Sequence, residues 1–532
     1  MNPTPDPNPA NMPQGFFRRL FSWRVLRRVL FGLACLATLV ALLVTVENWR
    51  GKQAWEKFKR EWEAKGERFD LASVIPPPVV PDDQNFALAP IFAGVFNLKA
   101  DPKTDELKPR DPHITDRLQV SIFGEPSKIG QAPGIEAPNM GSWQKAVKTD
   151  LKLWQQYYRD LAAVRTGADR REQNQSAQRT NEFPVPSQPR TPAADVLFAL
   201  SKYDSVIEEL RQAGERASSR FPLDYEDGFG AAAGLLPPMQ KLRNCGQFLR
   251  LHAVAELASG QSEKALADSM LSLRLVEALR GEPLLISHMV RVALFQLSLE
   301  PVWEGLADHQ WSDAQLVTLE RELGKLDFLA DYQRAMRGER AFAVWYFDAM
   351  RHTHKTPDGG WVALPNGWIY RNQIATCQMH LRWTLPMVDA GRHVVSPEVV
   401  RRLQADFKAS HRRITPYDCF TAMVYPAISK AQLQFVRAQS AVDLARGACA
   451  LERYRLAHGQ YPETLDALIH RFIEKLPHDI IGGQPLKYHR IGDAQFVLYS
   501  IGWNETDDGG TVNLNKNGAV DWEKGDWVWR YP

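Results

Sequence analysis

The residues best suited to chemistry stand near the C-terminus, in Asn504-Glu505-Thr506-Asp507-Asp508-Gly509-Gly510. Side-chain oxygens crowded onto a glycine-rich turn suit calcium, which takes about six to eight oxygen ligands in a flexible geometry. Asn504, Thr506, Asp507 and Asp508 are the candidate ligands, and Asp521 and Asp526 follow nearby in sequence. The segment is not an EF-hand, because counting from Asn504 brings Asn515 to the position where a bidentate glutamate belongs. Without a metal, the same stretch is a solvated acidic turn.

His352-x-His354 offers two imidazoles, and His380, His393 and His411 follow. A zinc enzyme needs three protein ligands and a positioned base. No HExxH arrangement supplies them, so surface or helix-end histidines are the plainer reading. The chain has no nucleophile elbow, phosphate-binding loop or dinucleotide fingerprint, and no catalytic residue is assigned. Trp522, Trp527, Trp529 and Tyr531 form either a stacking surface or, more simply, the buried face of a terminal strand. Cys245, Cys377, Cys419 and Cys449 match no zinc spacing; they allow two disulfides or four buried thiols.

The elements that must position these residues are mostly helical. From about 192 to 458 the apolar residues recur at helical spacing. The expected helices are 193–214, 238–259, 262–280, 283–307, 312–325, 329–352, 372–388, 397–410 and 417–458, with one more over 142–165. Gly260 and Gly281-Glu282-Pro283 mark stops and starts between them. The pair 238–280, with Ala253, Ala255, Gly260 and Ala265, is tetratricopeptide-like, but no second copy follows at a period near 34. An irregular helical array is expected, a form that usually provides scaffolds or peptide-binding surfaces. Residues 79–140 carry many Pro, Gly and Asp and short apolar runs such as Gln119-Val120-Ser121-Ile122-Phe123, and read as loops with one or two strands. Residues 1–14 and 167–191 read as disordered or linking segments.

Val29 to Val46 is an uncharged apolar run of about the minimum length for a membrane span. Arg18, Arg19, Arg24, Arg27 and Arg28 precede it, which places the N-terminus in the cytoplasm and the remainder outside. The rival is a cleaved signal peptide, but no small-residue cleavage pattern follows the run. A charged helix is expected to continue from Trp49 towards Phe69 and to stop at Ile75-Pro76-Pro77-Pro78. A net charge of +3 over 532 residues lacks the basic footprint of a nucleic-acid binder.

After residue 460 the periodicity changes to that of strands. The ordered pieces Ala450-Leu451-Glu452-Arg453-Tyr454, Gly459-Gln460-Tyr461-Pro462, Lys475-Leu476-Pro477-His478-Asp479, Gln484-Pro485-Leu486-Lys487-Tyr488 and Leu498-Tyr499-Ser500-Ile501-Gly502 carry a resemblance. Over roughly 440–510 the chain resembles the globular domain of the major pseudopilins of type II secretion. The periodicity of the last hundred residues gives a long helix, a short helix at 462–473 and a small antiparallel sheet; the resemblance implies calcium in the loop after the strand that ends near Gly502. It also implies an assembly role and no catalysis. The chain departs from that family at Asp479-Ile480-Ile481-Gly482-Gly483-Gln484-Pro485, and its membrane run lies hundreds of residues before the domain.

The resulting expectation is a mainly α protein with an N-terminal transmembrane helix, an irregular helical array and a small C-terminal α+β pseudopilin-like domain. Its parts are a cytoplasmic tail (1–28), a span (29–46), a juxtamembrane helix and loop-rich segment (47–140), a helical domain (141–428) and the α+β domain (429–532). The expected function is that of an inner-membrane, single-pass scaffold with its bulk in the periplasm, a protein partner in the envelope and no nucleic acid. An envelope hydrolase or metal-dependent enzyme with a site in the helical domain is the alternative.

Overall fold

The computed structural model describes residues 23–79, 81–100, 107–124, 138–169, 183–225, 229–356, 360, 364–492 and 495–530. Helices dominate: α1 Trp23–Glu63, α2 Leu151–Asp169, α3 Pro192–Leu200, α4 Asp204–Gly214, α5 Phe229–Ala258, α6 Ser262–Ala278, α7 Leu285–Ala307, α8 Asp313–Leu323, α9 Phe328–Thr353, α10 Asn366–Met379, α11 Pro397–Ser410 and α12 Cys419–His458. Residues 1–14 and most of the expected linker lie outside the described residues.

α1 is one continuous helix with two surroundings. Its apolar half contains a window long and apolar enough to cross a membrane, and none of that window is buried inside the protein. Its charged half packs along α10, where two glycines bring the backbones together: a Cβ on Gly51 would lie 2.7 Å from the Gly367 Cα, and one on Gly367 would run into the Glu47 carbonyl. The Gly367 N–H donates to Asn48 Oδ1 at 2.7 Å. Further along, Trp55, Phe58 and Phe69 form an aromatic group. Buried Arg340 of α9 bonds Glu67 Oε2 at 2.6 Å and the Arg68 carbonyl at 2.8 Å, fastening the turn that follows α1.

That turn corrects the expected stop at the prolines. α1 ends at Glu63 because Gly66 adopts φ +90°, a left-handed conformation open to glycine without a Cβ penalty. The segment 119–123 is also not a strand. Its alternation is real, since Leu118, Val120 and Ile122 are buried. Tyrosine hydroxyls replace a ladder partner: the Ser121 and Gly124 N–H groups donate to Tyr203 and Tyr157, and Tyr158 donates to the Ile122 carbonyl. Among the described residues of this region the strands are the antiparallel pair β1 Leu98–Ala100 and β2 Leu107–Pro109.

The array departs from the sequence expectation mainly at boundaries. The 193–214 segment is interrupted at Ser201–Tyr203 by a 3-10 turn. α5 begins before Pro237 and Pro238 and carries both inside it. The expected 372–388 helix starts earlier and passes through a π turn at His380–Thr384. α5 and α6 form a hairpin around Gly260, whose φ is +72°.

At the C-terminus, β3 Lys487–Ile491, β4 Gln495–Ser500 and β7 Trp527–Arg530 form an antiparallel sheet in the order β3-β4-β7. Leu498 pairs with Trp529 and Tyr499 with Val528. β5 Val512–Leu514 and β6 Val520–Gly525 form a second pair. Gly459, at φ +78°, ends α12. The short helix expected at 462–473 reduces to a 3-10 turn over Leu465–Leu468.

The sheet is fastened to the helices. Trp303 Nε1 donates to the Arg530 carbonyl at 2.9 Å, and Trp143 lies 5.3 Å from Trp529 ring to ring. Residue 429 falls inside α12, and one apolar cluster extends from the α1 stalk to Trp529.

Candidate metal centre

The hairpin of α5 and α6 positions the densest cluster of ligating side chains among the described residues. Phe248, His252 and Glu256 repeat at four-residue spacing on α5 and so share one face. Gly260 reverses the chain, and α6 brings Asp268 to that face. Candidate ligand atoms of His252, Glu256 and Asp268 lie within 4.8 Å of one another. His252 Nδ1 is 2.6 Å from Asp268 Oδ2 and 3.6 Å from Glu256 Oε1, and its ring stacks on Phe248 at 5.2 Å. Glu256 and Asp268 are buried, whereas His252 reaches solvent.

The three residues line an open cleft of about 340 Å³ whose other wall is α4, with Asp204, Glu208 and Arg211. Arg211 pairs with Asp268 Oδ1 at 3.1 Å. Lys264 also borders the cleft. Four carboxylates therefore face one guanidinium, one ammonium and an imidazole. Burial, and then the charge of Asp268, push the Glu256 carboxyl up to about 7 against the pull of His252, Lys264 and Arg211. Burial works against the His252 imidazolium, but Asp268, Glu256 and Asp204 outweigh it and raise its pKa. Glu256 Oε2 is buried without a hydrogen-bond partner. An imidazole and two carboxylates from two helices suit a divalent transition ion, and the open cleft leaves coordination positions for water or a ligand.

The residues singled out in sequence lie elsewhere. Asn504, Thr506, Asp507 and Asp508 share the loop between β4 and β5, where their oxygens are tied locally. Asp507 Oδ1 accepts from the Tyr499 hydroxyl at 2.9 Å and from the Gly509 N–H at 3.1 Å. Asp508 Oδ2 accepts from Asn504 Nδ2 at 2.8 Å, and Asn504 Oδ1 accepts from the Thr506 N–H at 3.3 Å. Asp526 braces the loop from β7's side by accepting from the Asp508, Gly510 and Thr511 N–H groups. The Tyr499 hydrogen bond is foremost in holding the Asp507 carboxyl below its ordinary value.

The histidines do not converge. His352 and His354 are exposed at the end of α9. His380 is buried, His393 contacts Asp327 at 3.2 Å, and His411 lies 3.9 Å from Asp418. All five cysteines are free thiols, and burial pushes Cys245 and Cys377 up to about 12. Trp527 and Trp529 are buried in the sheet, while Tyr531 lies outside the described residues. The triad escapes sequence reading because its one local sign is the four-residue spacing of His252 and Glu256. Many surface helices share that spacing, and Asp268 joins only through the hairpin. Comparison of the chain with protein-family models, curated proteins and solved structures finds no match.

Proposed function

We propose that this protein is a single-pass, membrane-anchored scaffold of a bacterial cell envelope, with its N-terminus in the cytoplasm and its helical body beyond the membrane. One observation carries this reading: α1 passes without a break from an unburied apolar half into a half packed on α10. Five arginines before Val29 supply the orientation. The pseudopilin resemblance of the C-terminal part favours a protein partner, and its loop at 504–508 is proposed to take calcium. A reporter active only outside the cytoplasm, fused after Pro532, tests the orientation. Activity of that fusion is expected, and activity of a cytoplasmic reporter alone would overturn the reading. For the loop, Asp508→Ala should abolish any rise in melting temperature on adding calcium.

A second reading, metal-dependent chemistry in the helical body, is favoured by the cleft holding His252, Glu256 and Asp268. Titration calorimetry with zinc and manganese tests it. Binding lost in Asp268→Asn and in His252→Ala supports a metal centre. Equal heats in parent and variants would leave the cluster as a structural ion network.

A further inference from the structure

Outside α1, large apolar side chains are most exposed at Met423 (73%) and Ile414 (67%), and Tyr417 and Val424 are exposed between and beside them. Four exposed apolar residues thus fall within eleven positions, on one turn and the start of the helix that follows it. Their surroundings are basic: residues 407–430 contain Lys408, Arg412, Arg413 and Lys430 against the lone carboxylate Asp418. Asp418 is engaged, accepting from the Thr415 N–H and hydroxyl at 2.7 Å each. The turn is also fixed in place. Asn372 of α10 donates to the Pro416 carbonyl at 2.7 Å and accepts from the Phe420 N–H at 3.2 Å.

Its level relative to α1 follows from two contacts. Gly367 bonds Asn48, two residues past the end of the apolar run. At 1.5 Å per residue that is about 3 Å beyond the hydrocarbon, within a headgroup layer of roughly 5–7 Å per side. Trp368, next in sequence, meets Tyr417 at 6.0 Å between ring centroids. Exposed Trp49 lies on α1 at the same level. Trp49, Trp368 and Tyr417 thus have the composition of an interfacial aromatic belt beside the α1–α10 crossing, with Arg412 and Arg413 next to them in sequence for anionic headgroups.

We infer that the turn 412–418 and the first two turns of α12 rest in the headgroup layer of the bilayer that α1 crosses, making a second, peripheral membrane contact. This rests on the anchored reading above. The contact would fix the tilt of the body instead of leaving it on one helix.

The test uses the full chain with Cys35→Ala and Cys419→Ala, reconstituted into phosphatidylcholine vesicles with or without phosphatidylglycerol. An environment-sensitive fluorophore is attached through Ile414→Cys, and lipids brominated high on their acyl chains act as quenchers. Leu36→Cys reports on the span, and Leu456→Cys, at the opposite end of α12, serves as the aqueous control. The expected result is strong quenching at 36 and 414 and none at 456. Arg412→Glu with Arg413→Glu should remove the extra quenching at 414 that phosphatidylglycerol produces. Quenching at 36 with none at 414 would overturn the peripheral contact and leave the anchor intact. No quenching at 36 would overturn both.

Discussion

At the residue scale, buried carboxylates set the sharpest expectations. Asp443 lies inside α12, where Gln439 Nε2 approaches it at 3.3 Å while Gln439 Oε1 accepts the Phe328 N–H at 2.8 Å. Burial pushes its carboxyl up to about 7. The folded state therefore holds this proton more tightly than the unfolded chain does. The favourable contribution is full below the unfolded pKa, near 4, and is lost as pH rises towards 7. Asp443→Asn should make the stability profile over that range shallower by one proton and raise stability at pH 8 by about 2–4 kcal/mol. Denaturant titrations at several pH values check this; an unchanged slope would mean that Asp443 is not protonated in the native state. Glu452 behaves oppositely. Burial alone would raise its carboxyl, but Arg455, Tyr461 and His309 hold it below the ordinary value. Glu452→Ala should cost about 3–5 kcal/mol near neutral pH, because Arg455 and the Tyr461 hydroxyl lose their acceptor.

At the scale of elements, the junction of α1 with α10 has the narrowest tolerance. Gly367 faces the Glu47 carbonyl with no room for a Cβ. Gly367→Leu should lower stability by about 1–3 kcal/mol through enforced separation of the helices. It should also speed amide exchange over 47–63 while leaving α5 and α6 unaffected; unchanged exchange there would refute the close crossing. Much of this scale was legible in advance. The hairpin of α5 and α6 follows from apolar periodicity and Gly260, and the end of α12 from Gly459. Other boundaries were hidden because tertiary partners set them. Gly66 stops α1 before the prolines, Ser201–Tyr203 divides a continuous apolar pattern, and three tyrosine hydroxyls take the place of a strand beside Val120.

At the scale of the whole molecule, the helical array and the C-terminal sheet share one apolar cluster, and residue 429 lies within α12. Besides the Trp303 and Trp143 contacts, Leu498 of β4 packs on Gly447 of α12, and α12 is in turn tied to α8 by Arg446 with Glu320 at 2.9 Å and Arg453 with Asp313 at 2.8 Å. Thermal unfolding of the detergent-solubilised chain should show the sheet and the helices melting together. A separate early transition reported by Trp527 and Trp529 would instead make the last hundred residues an autonomous unit. The central claim is that α1 holds this body to a membrane without being cleaved. Intact-mass spectrometry of the protein recovered from carbonate-washed membranes tests it most directly. The chain is expected in the membrane pellet with its N-terminal segment present. Recovery in the soluble fraction, or a mature N-terminus between residues 40 and 60, would contradict it.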